Sequence, residues 1–168
     1  MVNWSFVGAM FLPNVGGWIS TLTMVGQVKK PDGTGWYQSL RKPSWTPPNW
    51  VFGPTWTVLY TTMGAASYMV YRDCGGFTDM AVVPLSLYGG QLVLNWIWTP
   101  LFFGCHKIGL GLVNMAVLNA AVVACTSSFG SVNRTAAYMM LPYLLWLWCA
   151  TTLNYSIWKL NRDEKKER

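Results

Sequence analysis

The chain has 168 residues, 52% of them hydrophobic and only 11% charged, far below the roughly 25% charge of an ordinary soluble domain. Its formal net charge of +6 reads as a topology signal rather than a nucleic-acid footprint, because of where the charges fall. Charge-free runs cover 1–28, 43–71, 80–105, 108–133 and 135–158, each long enough for the ~20 helical residues that cross a hydrocarbon core. They are continuous, whereas a β-barrel shows segments of about ten alternating residues.

The expected fold is therefore an all-α membrane protein, a five-transmembrane-helix bundle forming a single transmembrane domain over 1–168. Five spans place the termini on opposite sides. Ten of the twelve basic residues then share one face: Lys29, Lys30, Arg41 and Lys42 in the first connection, Lys107 in the third, and the five basic residues from Lys159 onward. Only Arg72 and Arg134 fall opposite, and the positive-inside rule makes the basic face cytosolic. Residues 160–168 form a charged cytosolic tail, with attraction to anionic lipid as the alternative to a plain solvated end.

The first predicted span, 5–25, carries Pro13 with Gly16-Gly17, which predicts a kink or loose packing. No basic residues precede it and no small-residue cleavage site is evident, so a removable signal peptide is not expected. The connection from 27 to 45 is the one long loop. From its second half into the next span, Trp36, Trp45, Trp50 and Trp56 are interleaved with Pro43, Pro47, Pro48 and Pro54. Proline stiffens a connection, and tryptophan offers a flat apolar face with one polar N–H, suited to a membrane edge. This aromatic flap either covers a ligand or anchors the protein in lipid.

The second span, 48–71, starts at Pro47-Pro48 and places Phe52, Trp56, Tyr60, Met63 and Ser67 on one stripe. The third, 81–103, aligns Gln91, Asn95, Trp98 and Phe102. The fourth, 108–129, is apolar, and the fifth, 135–159, aligns Tyr143, Trp146, Ala150 and Leu153. Short loops predict antiparallel packing of sequential neighbours. Aromatic stripes with a few polar groups suit a small-molecule site. The alternative is ordinary helix packing, with Gln91 and Asn95 as interhelical hydrogen-bond glue.

Catalytic candidates are few. The lone histidine, His106, adjoins Cys105 in a loop, and no Asp or Glu lies within a span, which argues against a proton relay or ion-coupled pump. The four cysteines are too dispersed for a disulfide framework or metal clip, and no metal site is expected. Whether the protein is an enzyme stays open at this point. Asn133-Arg134-Thr135 matches a glycosylation acceptor, a pattern of little weight by itself.

The stretches WYQSLRKPSWTPPNWVFGPTW, GGFTDMAVVPLSLYGGQLVLNWIWTPLFFG, LPYLLWLW and ATTLNYSIWKLNR resemble the translocator proteins, also called peripheral-type benzodiazepine receptors or tryptophan-rich sensory proteins. The likeness covers most of the chain from Trp36 onward and looks like an animal member. It implies a five-helix bundle in the mitochondrial outer membrane, C-terminus cytosolic, binding cholesterol, porphyrins such as protoporphyrin or heme, and benzodiazepine-type ligands. It implies a role in cholesterol transport and steroid metabolism, with no required cofactor and no nucleic acid. Membrane lipid, a homodimer and other outer-membrane proteins are its implied partners. The alternative it carries is a light- and oxygen-dependent porphyrin-degrading enzyme, or a tetrapyrrole or stress sensor.

By the same resemblance, Phe52, Trp56, Asn95, Trp98, Trp146, Ala150 and Leu153 would line the cavity, to which the periodicity adds Tyr60. The Trp36 and Pro47-Pro48 region would be its lid. Leu153, Tyr155 and Lys159 resemble the sterol motif, although the reverse pattern also matches at Arg134, Tyr138 and Leu141. Ser86 and Gly90 stand at the small-residue dimer contact. Family members often carry a basic residue where this chain has Leu22. Animal members often carry tryptophan and aspartate where it has Leu110 and Asn114, and Leu110 would abut the drug cavity.

Overall fold

A computed structural model describes residues 3–24, 27–28 and 35–163. Among the described residues it contains six α-helices and no strand. Helix α1 (Trp4–Thr21) is capped by Asn3, whose side chain accepts from the Phe6 N–H at 3.1 Å, and ends in a 3₁₀ turn (Leu22–Met24). The four-residue α2 (Trp36–Ser39) lies in the long connection. Helix α3 (Asn49–Asp73) begins directly after Pro48, whose fixed φ sets the entry. Helix α4 (Asp79–Thr99) runs into a π turn (Pro100–Gly104), then come α5 (Ile108–Val132) and α6 (Arg134–Asp163). The five long helices cover 4–21, 49–73, 79–99, 108–132 and 134–163, beside predicted spans of 5–25, 48–71, 81–103, 108–129 and 135–159. Val25, Lys29, Lys30 and the tail from 164 lie outside the described residues, while residues 160–163 continue α6.

Among the described residues three segments are long and apolar enough to cross a membrane: Asp79–Gly104, Ile108–Val132 and Arg134–Arg162. The count differs from the five spans expected. Helix α1 spends positions on Pro13, Asn14, Gly16 and Gly17, and α3 on Thr55, Thr57, Thr61 and Thr62, which lowers their hydropathy. Some of that polarity is internally satisfied. The Asn14 amide donates to the Met10 carbonyl at 2.9 Å and to Thr61 Oγ1 at 3.2 Å, and Thr61 and Thr62 back-bond to their own helix.

The long helices form a ring in the order α1, α3, α6, α5, α4 and back to α1. Helix α3 meets α1 and α6 far more than α4, so the expectation that sequential neighbours pack side by side fails at that one pair. The wedge is α1. A Cβ at Gly16 would fall 2.2 Å from the Trp96 ring of α4, and one at Gly17 would fall 2.5 Å from the Tyr60 ring of α3. Two adjacent glycines therefore seat two rings from two different helices, and α1 is unbroken and tightly packed there rather than loose.

A central core joins α3 to α6, with Met63, Val70, Val122, Phe129, Met140 and Leu147 fully buried. A smaller cluster at the α2 end gathers Tyr37, Phe102, Phe103, Leu153 and Ile157. Pro100 lacks the N–H that would continue α4, and the widened turn directs both Phe102 and Phe103 inward. The outer surface is apolar: Phe11, Ile19, Val83, Val113, Val123 and Trp148 are among the large side chains left uncovered. An apolar exterior of this extent needs lipid rather than water against it. The protein is an all-helical membrane protein.

Candidate functional site

Between the two clusters lies a cavity of 420 Å³, within the ~300–1,000 Å³ usual for small-molecule sites. Helix α3 contributes Phe52, Trp56 and Tyr60, one per turn. Helix α4 adds Asn95 and Trp98, and α6 adds Trp146, Ala150 and Leu153. All eight cavity residues expected from the sequence thus face one space. Aromatic pairs fasten the wall across helices: Phe52 meets Trp146 edge to face at 5.9 Å, and Trp56 meets Tyr143 at 6.1 Å. Among the described residues none of the lining side chains is charged.

Behind the wall runs a buried polar chain. The Tyr60 hydroxyl donates to Asn95 Oδ1, the Asn95 amide donates to the Tyr143 hydroxyl at 2.8 Å, and Tyr143 donates to Gln91 Oε1 at 3.0 Å. The Gln91 amide ends the chain on Met63 Sδ at 3.8 Å. Asn95 thus lines the cavity and also ties α3, α4 and α6 together, whereas Gln91, Met63, Ser67 and Tyr143 belong to the packed interior. The two readings of the polar stripe hold for different residues.

The flap is folded onto the bundle. Tyr37 is buried against Phe102 and Phe103 at ring distances of 6.3 and 5.4 Å, and it lines the cavity. Lys42 Nζ sits 4.1 Å over the same ring; burial pushes the Tyr37 phenol up and the Lys42 ammonium down from their usual ranges. Trp36 packs edge-on to Phe102 and stacks on His106 at 4.2 Å, and His106 Nε2 pairs with Gln27 Oε1 at 3.1 Å. His106 reaches this stack from φ 55°, a left-handed turn in which His is tolerated better than most residues. Asn161 of α6 then clamps the segment, accepting from the Arg41 N–H at 3.1 Å and donating to its carbonyl at 2.9 Å. Pro47 and Pro48 set the start of α3 and do not line the cavity; Trp36 lies one layer out, behind Tyr37 and Phe102. Trp45 and Trp50 are exposed.

Other expected residues separate. Leu153 faces the cavity, but Tyr155 and Lys159 are exposed on the opposite side of α6, so the sterol-motif residues do not share one space. Ser86 and Gly90 lie together on the outer face of α4, in a shallow apolar groove with Val83, Leu87 and Ala121. Leu110, expected beside the drug cavity, is half exposed on the outside of α5 and does not line it; α5 contributes Met115 and Leu118 instead. Leu22 is exposed, and Asn114 donates to the Leu94 carbonyl at 3.0 Å, joining α5 to α4. Asn133 is committed to capping α6 and bonding Asp73, which leaves it poorly placed as a glycosylation acceptor.

Sequence reasoning missed Asn14, Trp18, Met115, Leu118 and Asn154 as lining residues. For α5, apolar all round, no stripe marks the inner face. Asn154 was visible only as an interior letter of the sterol motif. Among the described residues no three His, Cys, Asp or Glu side chains gather where a metal could be held.

The model of the TspO/MBR family matches residues 9–159. The chain is 43% identical to the translocator protein of Sus scrofa over 162 residues, 96% of this chain and 93% of that protein. It is 44% identical to the translocator protein of Homo sapiens over 155 residues, 92% and 89% of the two chains. It is 36% identical to the tryptophan-rich sensory protein of Cereibacter sphaeroides over 143 residues, 85% and 86%. With the match running through the flap, the cavity wall and α6, the chain belongs to the TspO/MBR family.

Proposed function

We propose that this protein binds and translocates cholesterol and porphyrins in the outer mitochondrial membrane, serving cholesterol transport and steroid metabolism, with benzodiazepine-type ligands taken by the same cavity. What carries the proposal is an aromatic-walled space of 420 Å³, uncharged among its described lining and closed at one end by the folded flap, in a helical bundle with an apolar exterior. Relatives named translocator protein support it. In this reading α1 and α3–α6 all cross the membrane as one domain over 1–168, the basic face and C-terminus are cytosolic, and protoporphyrin or heme is cargo rather than a resident cofactor. Neighbouring outer-membrane proteins and a second copy, docked through the Ser86 and Gly90 groove, are its partners.

The deciding experiment titrates cholesterol and protoporphyrin into the full chain in lipid nanodiscs, beside Ala150→Phe, which places a ring inside the cavity. Binding of either ligand, lost in the variant, is expected. Absence of binding, or equal binding in the variant, overturns the assignment. The sensory name of the bacterial relative favours a second reading as a sensor, to which the family resemblance adds a tetrapyrrole or stress signal, or a light- and oxygen-dependent porphyrin-degrading activity. Illumination with protoporphyrin in air separates them: loss of its absorbance in wild type but not in Trp146→Phe supports degradation, and stable absorbance removes it.

A further inference from the structure

The wall of the cavity holds more hydrogen-bonding capacity than the protein uses. Asn154 is only 2% exposed, yet among the described residues neither its Oδ1 nor its Nδ2 has a partner. Among the buried amide side chains of the described residues it alone has both amide atoms unspent. The indole N–H groups of Trp98 and Trp146 are also buried and unpaired, and all three residues line the cavity. Asn95, on the same wall, has both amide atoms bonded. Buried polar groups in folded proteins are nearly always paired, so an idle carboxamide calls for a partner supplied from elsewhere.

Two of these idle groups, on Asn154 and Trp98, flank one position of α5. A methyl group placed on Gly111 of α5 would lie 3.4 Å from Asn154 Nδ2 and 3.4 Å from Trp98 Nε1. Gly111 carries no side chain that could pair with either group, and it does not itself line the cavity, so both groups are left to a partner on the cavity side. We propose that Asn154 and Trp98 form the polar subsite of the cavity and read a single neutral oxygen, a hydroxyl or a carbonyl, at the end of a flat apolar ligand. This rests on the reading of the cavity as a ligand site.

The chemistry selects that class. A hydroxyl accepts from Trp98 or from the Asn154 NH₂ and donates to Asn154 Oδ1, satisfying both kinds of group at once. A carbonyl takes two of the donors. A carboxylate would give up its hydration for a space with no cationic residue among its described lining, at a large desolvation cost. Acidic groups of a ligand therefore stay at the mouth, outside this subsite. Tyr155 and Lys159 are turned outward and serve no ligand in this position.

The test uses the full chain in lipid nanodiscs, with tryptophan fluorescence as readout and three probes of one skeleton: cholesterol, 5-cholestene, which lacks the hydroxyl, and cholesteryl sulfate. Cholesterol should bind about tenfold more tightly than either analogue. Asn154→Leu, similar in volume and without unpaired polar atoms, should abolish the preference for cholesterol over 5-cholestene. Trp98→Phe should narrow the same gap in part. Equal binding of cholesterol and 5-cholestene to wild type, or an undiminished preference in Asn154→Leu, overturns the subsite. If that equal binding is lost in Ala150→Phe, the cavity stands and only the subsite falls; if neither sterol binds at all, both fall.

Discussion

Asn95 shows how one side chain serves stability and site together. Its carboxamide bridges Tyr60 and Tyr143 and so ties three helices, while its flank lines the cavity. Replacing it with Leu leaves the Tyr60 hydroxyl without its acceptor and removes one donor from Tyr143. We expect Asn95→Leu to lose about 1–2 kcal/mol of stability, within the range for orphaned buried polar groups and above the ~0.6 kcal/mol average of hydrogen bonds in membranes. A melt in detergent measures it, and an unchanged melting temperature would show the chain of bonds to be energetically idle. A polar residue within an aromatic stripe was visible in the sequence. Its partners were not, because Tyr60 and Tyr143 lie 35 and 48 positions away.

At the scale of elements, the α5–α6 turn and the flap each depend on one asparagine. Asn133 caps α6 through the Ala136 N–H at 2.9 Å and also donates to Asp73, tying this turn to the end of α3. Asn133→Ala should cost about 1 kcal/mol, the usual cost of a lost N-cap, read as a lower melting temperature at neutral pH. The hydrogen bond from Asn133, then that from Arg72, holds the Asp73 carboxyl below its usual 3.8. A depressed folded pKa means stability that is present above the unfolded value and lost as pH falls through the folded one. Wild type should therefore show a small decline in melting temperature below about pH 4, and Asn133→Ala should flatten it. On the opposite face, Asn161 clamps both backbone groups of Arg41. Asn161→Ala should loosen the flap, raising ligand dissociation several-fold in stopped-flow while changing melting temperature little. The flap was legible as a rigid aromatic segment, but the clamp joins positions 120 residues apart that no local pattern connects.

For the molecule as a whole, ring closure turns on how closely α1 can approach. A Cβ at Gly64 would lie 2.2 Å from the Ala9 carbonyl oxygen and 2.7 Å from Met10 Cα, backbone that cannot swing aside. Gly64→Val should push α1 off α3, cost about 3 kcal/mol as overpacking does, and expose α1 to limited proteolysis. Gly89→Ala, with nothing within 4 Å, should instead gain up to about 1 kcal/mol from helix propensity. Equal behaviour of the two variants would refute the close approach. What the sequence determined by itself was local and periodic: long apolar runs made helices, Pro48 started α3, and aromatic residues one turn apart marked the inner faces of α3, α4 and α6. Those faces were readable because helical spacing converts sequence intervals directly into direction. Tertiary structure alone decided the ring order, the inner face of the uniformly apolar α5, the outward turn of Leu110, and the unpaired Asn154. Each of these depends on which surfaces meet across the bundle, and an apolar helix that is good lipid-facing surface on every side carries no mark of which side its neighbours will take.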